Sequence, residues 1–384
     1  MKKVTNFALN LDDETKRQFD LCSSQSYVTS ASLMPDAHSG YVAPIGSVLQ
    51  TKNTLVPAWI GYDIGCGMIA CKFSKKGIIS HVKKHSREIF EKVTSIIPMG
   101  KGSIGVHGDV SEEIKEKFRD LVQRYKKVPH NASLFNFINT QAQAHLGSLG
   151  SGNHFIELGV RKDSPEDELW LIVHSGSRGV GHKVATEYMK KASRSNDDFE
   201  KTAEFDISTR EGEEYYHVVD FGQEFALLNR LEMAIRVRDV LRKVLGFGDL
   251  SFELFCNKNH NFVEKYNGFF VHRKGATPAK KGELGVIPAN MRDGCFLVKG
   301  LGNKDFLESS SHGAGRILSR GDAKKVVGLE EFEETMRGIV GTVSEKTLDE
   351  SPFVYKNIYD VMEKQKASVE VIGHIVPLIN WKGN

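Results

Sequence analysis

The chain has 384 residues, 40% of them apolar and 26% charged, which argues against a disordered chain and leaves room for one large domain or two ordinary ones. A net charge of +3 is too small to imply nucleic acid by itself, and five cysteines, an odd number with no CxxC pair, exclude a disulfide framework and favour a reducing compartment. No stretch reads as a signal peptide or a membrane span, so a cytoplasmic protein with no membrane partner is expected.

Residues 12–21, acidic at their start, read as a short helix. Met34-Pro35-Asp36-Ala37-His38-Ser39-Gly40 and Pro44-Ile45-Gly46 read as loop, with Asp36 and His38 as polar tips and Asp36 most simply a turn cap. Next comes Gly61-Tyr62-Asp63-Ile64-Gly65-Cys66-Gly67-Met68, a carboxylate and a thiol three residues apart among three glycines. Glycine permits tight backbone, so Asp63 and Cys66 can face one point, and a hard oxygen beside a soft sulfur suggests a metal. The plainer alternative is a glycine turn with one buried cysteine.

Residues 109–127 read as a helix, with capping-box spacing between Asp109 and Glu112 and an apolar face of Ile114, Phe118, Leu121 and Val122. Residues 225–245 read as a longer one, stopped by Gly246. Both are expected to be scaffold without chemistry. Between them, residues 155–160 and 169–173 read as a hairpin whose turn spans 162–168. Symmetric pairing about Ser164 would set His154 directly opposite His174, about 5 Å apart at Cβ. A second hairpin, residues 260–266 and 269–273, turns at Asn267-Gly268 and should bring His260 near Lys274-Gly275-Ala276.

Ser309-Ser310-Ser311-His312-Gly313-Ala314-Gly315-Arg316 is a glycine loop before a helical-looking stretch, 317–327. A glycine turn opening a helix offers free N–H groups to phosphate, Arg316 adds a bidentate phosphate partner, and His312 can be a nucleophile without a separate base. The tail reads as a helix near Pro352 and a strand at 368–379, ending in Trp381-Lys382-Gly383-Asn384. With no repeat or linker, residues 1–384 are expected to form one domain.

Of fourteen histidines, His81, His85, His107, His130 and His217 read as surface or core residues. His38, His154, His174, His182, His260, His272 and His312 sit beside glycine or in short polar loops at strand ends. Asp63, Cys66, His154, His174 and His260 are the expected ligands. Five exceed one tetrahedral site, so a two-metal centre bridged by Cys66 is the economical arrangement.

Seven motifs, taken in order, resemble the RtcB family of RNA ligases over residues 35–382: Met34-Pro35-Asp36-Ala37-His38, Asp63-Ile64-Gly65-Cys66-Gly67, Gly152-Asn153-His154-Phe155, His174-Ser175-Gly176-Ser177-Arg178-Gly179, His260-Asn261-Phe262, His272-Arg273-Lys274-Gly275-Ala276 and His312-Gly313-Ala314-Gly315-Arg316. The resemblance implies a single mixed α/β (α+β) domain with sheets surrounded by helices. It implies joining of RNA 3′-phosphate or 2′,3′-cyclic phosphate ends to 5′-hydroxyl ends, with GTP as co-substrate and two Mn2+ per site on the five ligands above. It makes His312 the residue that carries GMP covalently. It places Asn153, Phe155, Glu157, Asn261, Pro288, Asn290, Met291, Cys295, Gly313, Ala314, Gly315 and Lys382 at the nucleotide, and Arg178, Lys274 and Arg316 at RNA or nucleotide phosphates. Thiolate with imidazole would ordinarily suit zinc, so manganese comes from the resemblance. Asn290 and Cys295 stand where the family has serines, which suggests a divergent branch serving RNA repair rather than tRNA splicing. The competing readings are a metal-dependent RNA-end phosphodiesterase or phosphatase without ligation, and a non-catalytic RNA-end binding protein. Neither the RNA joined nor any activating partner protein is indicated.

Overall fold

Two sheets meet at the residues of interest. One runs in the order Lys3–Asn6, Val28–His38, Ile45–Thr51, Phe269–Lys274, Asn261–Tyr266. The larger runs Leu284–Pro288, Cys295–Gly300, Val369–Lys382, Phe155–Arg161, Glu168–Ser175, Gly67–Ser74, Phe252–Asn259, with Val340–Gly341 added beside Val369–Lys382. Pairing is antiparallel within these sheets except for Lys3–Asn6 and Val340–Gly341. Helices cover the sheets, so the architecture is α+β, as expected. This computed structural model describes residues 2–100, 102, 109–163, 167–193 and 203–383. No described helix is long and apolar enough to cross a membrane.

The organising helix is Arg210–Leu245. Thr209 caps it by accepting from the Gly212 N–H, Glu211 and Glu213 sit in its first turn, Arg242 and Lys243 in its last, and Gly246 ends it in the left-handed conformation at φ 70°. Val218, Phe221 and Phe225 enter one core, Met233, Val237 and Leu241 another. Burial on more than one side weakens a one-face periodicity, which explains why the sequence shows only its last 21 residues as helix.

Local signals elsewhere hold in part. Asp12 caps Asp13–Ser24 through the Thr15 N–H. Glu112–Tyr125 is helical, but the cap position is Ser111, not Asp109, and Ser111 is held by Glu232. The Asn267-Gly268 hairpin forms in the expected register, with both turn residues at positive φ. Three expectations need correction. Residues 34–38 belong to the strand Val28–His38; its pairing is interrupted between Leu33 and His38, which is where a proline can sit in a strand. The first hairpin pairs Phe155, not His154, with His174, a slip of one; the proposed centre Ser164 lies outside the described residues. The helix expected at 317–327 is only Arg320–Val326, because Arg316 bridges to Tyr355 and the Ile317 N–H donates to Val354, keeping the chain extended. His107 also lies outside the described residues.

Candidate active site

The loop before Gly67–Ser74 carries Asp63 and Cys66. It is pinned from Asn261, whose carbonyl accepts the Gly65 N–H at 2.7 Å, and the Cys66 carbonyl accepts the His260 N–H at 2.7 Å. His174 projects from the neighbouring strand. His154 precedes its own strand, so its side chain is free of the pleat's alternation, and both imidazoles reach Cys66 despite the register slip. The donor atoms form a chain. Asp63 Oδ2 lies 3.0 Å from His154 Nε2, which is 3.4 Å from Cys66 Sγ. Cys66 Sγ lies 3.2 Å from His174 Nε2, itself 3.3 Å from His260 Nε2. Ligands at about 2.0–2.3 Å from a tetrahedral ion stand roughly 3.3–3.7 Å apart, and the observed spacings of 3.0–3.4 Å lie at or just below that range, close enough for an ion to be held after small side-chain shifts. The sulfur occupies the middle of the chain, with Asp63 and His154 on one side and His174 and His260 on the other.

The tautomers agree. His154 Nδ1 donates to the Leu149 carbonyl at 3.0 Å and His174 Nδ1 to the Asn153 carbonyl at 3.1 Å, leaving lone pairs on both Nε2 atoms. Burial, and then the charges of neighbouring histidines, hold His174 and His260 well below the ordinary imidazole range and hence neutral. Burial and Asp63 push the Cys66 thiol up, a balance that a bound cation reverses. Gly176 is needed here, since a Cβ would stand 2.2 Å from Asp63 Oδ1.

The helix expected to be inert scaffold holds this centre from behind. Arg230 is fully buried and donates to the carbonyls of Gly65 at 2.9 Å and Ser175 at 2.8 Å, and to the side chains of Asn257 and Asn259 at 2.8 and 2.6 Å. Asn229 beside it accepts the Gly147 N–H at 2.7 Å and donates to the Ser148 and Gly176 carbonyls. Adjacent residues of one helix thus tie together the segments that carry Asp63 and Cys66, His174, and His260. A helical arginine gives no sign of this in sequence.

His312 adjoins the cluster, its ring centroid 4.8 Å from that of His260. Its Nδ1 donates to Asp36 Oδ2 at 2.7 Å, and the same oxygen accepts the His312 and Gly313 backbone N–H groups at 3.2 Å. The Asp36 carboxylate is therefore bound to the His312 imidazole and its loop rather than capping a turn of its own, and two of the N–H groups expected to hold phosphate are already used. The strand that positions Asp36 was the part of the chain read as loop, which hid this role.

A cavity of about 650 Å³ opens from His312, large enough for a nucleotide. Asn153, Phe155, Glu157, Pro288, Asn290, Met291, Gly313, Ala314, Gly315 and Lys382 line it, as do Arg316 and His174. Sequence reasoning missed Tyr355, Glu350, Arg320 and Asn380 on the same walls. Glu350 accepts from Lys382, Arg320 and Tyr355 at 2.7, 2.6 and 2.7 Å.

Other expected contacts are placed elsewhere or are already engaged. Asn261 is a staple, donating to the Asp63 carbonyl at 3.2 Å and accepting the Gly275 N–H at 2.7 Å. Cys295 is fully buried behind Glu157. Lys274 is buried and donates to the carbonyls of Tyr41 and Ala43; burial lowers it to about 7. Arg316 donates to Leu318, Glu350 and Asp349 and covers Tyr355. Arg178 donates to Ser148 Oγ at 3.0 Å beside Asp63. His182 stacks on Tyr62, and His272 Nε2 accepts the Val56 N–H in the core.

Residues 20–383 match the family described as tRNA-splicing ligase RtcB. The chain is 33% identical to the RNA-splicing ligase RtcB of Escherichia coli strain K12 over 371 residues, 91% of this chain and 89% of that protein. It is 27% identical to the tRNA-splicing ligase RtcB of Nanoarchaeum equitans over 403 residues, covering 86% and 83%. It is 25% identical to the RNA-splicing ligase RtcB of Mycobacterium bovis over 421 residues, covering 93% and 97%.

Proposed function

Since the chain belongs to the RtcB family, we propose that it is a GTP-dependent RNA ligase that joins 3′-phosphate or 2′,3′-cyclic phosphate ends to 5′-hydroxyl ends through a histidine-bound GMP. The observation that carries this reading is the placement of His312. Its Nδ1 is committed to buried Asp36, so Nε2 bears the lone pair, at the junction of the donor cluster and the cavity. Cations held by Asp63, Cys66, His154, His174 and His260 would draw charge from the α-phosphate and offset that of departing pyrophosphate. Two Mn2+ ions are proposed, on the strength of the family resemblance. Sulfur and imidazole donors also suit zinc, which makes the metal a variable of the test.

In the first step His312 Nε2 attacks the α-phosphorus, a P–N bond forms, the bond to the bridging oxygen breaks and pyrophosphate leaves. Asp36 keeps the Nδ1 proton in place and balances the positive ring. GMP then passes to the RNA 3′-phosphate, freeing His312. The 5′-hydroxyl of the second end attacks that phosphorus and GMP departs. A cyclic phosphate would first be opened to the 3′-phosphate. RNA repair in the cytoplasm is the proposed setting, and the partner is RNA with broken ends.

Incubation with α-labelled GTP and Mn2+, then with Zn2+, tests the reading. Label bound covalently to the unmodified protein and absent from His312→Ala supports it. No bound label, with phosphate released from cyclic-phosphate RNA in the absence of GTP, identifies a hydrolase instead.

A further inference from the structure

Glu157 and Asn380 face each other across the strands Phe155–Arg161 and Val369–Lys382. Each is 1% exposed, and both line the cavity. Asn380 Nδ2 donates to Glu157 Oε2 at 3.0 Å. With Glu157 ionised, as it is when it accepts an N–H from a ligand, the amide lies this way round, because the reverse would set two oxygens against each other. Asn380 Oδ1 and Glu157 Oε1 are then left buried without a conventional hydrogen-bond partner, since the Cys295 thiol beside the carboxyl is only a weak donor. Native interiors leave few buried acceptors unpaired, and each one calls for a cause. Two in one cross-strand pair, on the wall of one cavity, are explained by a ligand that brings two donors.

We propose that Asn380 is a specificity-determining residue that reads the nucleotide base, its Oδ1 accepting an exocyclic amino N–H while Glu157 accepts the adjoining ring N–H. Of the common bases, guanine presents that pair of neighbouring donors. Hypoxanthine keeps the ring N–H and lacks the amino group. Adenine turns a bare ring nitrogen toward the carboxylate. Asn380 thus separates guanine from hypoxanthine, which Glu157 alone does not. The inference rests on the nucleotide-transfer reading above.

The test compares protein labelling from α-labelled GTP and ITP in the absence of RNA. The unmodified protein is expected to prefer GTP by about tenfold or more, the effect of leaving one buried acceptor unpaired. Asn380→Ala and the near-isosteric Asn380→Leu are expected to bring that ratio close to one. The ratio is internal to each preparation, so a partly folded variant still reports it. Equal labelling of the unmodified protein by GTP and ITP overturns the inference without any variant, and a preference retained in both variants overturns it too. Labelling by neither nucleotide overturns the ligase reading itself.

Discussion

The Nδ1 of His312 donates to Oδ2 of Asp36 at 2.7 Å, and Asp36 has no exposed surface. Burial pushes this carboxyl up, but the charge and hydrogen bond of His312 outweigh it and hold Asp36 below the usual carboxylate range. The pair therefore fixes one tautomer and, in the proposed transfer, would supply a counter-charge when Nε2 bonds to phosphorus. Asp36→Asn keeps the shape and removes the charge. Single-turnover labelling from GTP is expected to slow by about 10²–10⁴. A rate within about threefold of the unmodified protein would show that Asp36 does not orient the nucleophile.

The central place of Cys66 in the donor chain sets a second expectation. Metal counted by mass spectrometry should fall from about two ions to nearly none in Cys66→Ala, and to about one in His260→Ala, which removes a donor from one end only. With Co2+, a thiolate charge-transfer band should appear in the unmodified protein and vanish in Cys66→Ala. Gly176→Ala forces Asp63 aside, since its Cβ would stand 2.2 Å from Oδ1, and should weaken metal binding about 10–100-fold. Two ions retained in Cys66→Ala would rule out a bridging sulfur.

The readability of the site followed the range of the interactions. Asp63 and Cys66 share one glycine loop, and Asn267-Gly268 sets its own hairpin, so local chemistry revealed both. His154 and His174 come together although the inferred register was off by one, because His154 lies outside the strand and does not obey its alternation. Asp36 and Arg230 were missed for the opposite reason. Their partners lie 276 residues away in one case and up to 165 in the other, and no periodicity or turn signal reports such contacts. The glycine loop at His312 looked like a phosphate nest because its N–H groups seemed free; Asp36 had already taken two of them.

Arg230 offers a test of how the centre is held. Burial lowers its guanidinium only to about 10, so it stays charged at neutral pH. It serves four oxygens from four different residues at once. Arg230→Lys keeps the charge but cannot span them. Urea unfolding should show a loss of about 1.5–3 kcal/mol, the range for hydrogen bonds to a charged group, accompanied by weaker metal binding. Lost stability with unchanged metal affinity would make Arg230 a core residue only.

Glu157 predicts a pH dependence whose sign follows from its surroundings. Burial raises its carboxyl to about 8, against the opposing pull of Asn380, Cys295 and Lys382, and Lys382 is itself paired with Glu350 at 2.7 Å. In the empty cavity Glu157 is thus protonated at pH 6–7. Accepting a ring N–H from guanine favours the ionised form, so a proton must leave as the nucleotide enters. Affinity for GDP without metal should rise with pH by up to about tenfold per unit and level off above about 8. Glu157→Gln mimics the protonated carboxyl at every pH; it should flatten this profile and bind GDP weakly throughout. Calorimetry in buffers of different ionisation enthalpy would count the released proton. Equal GDP affinity at pH 6 and pH 8 in the unmodified protein would remove Glu157 from base recognition.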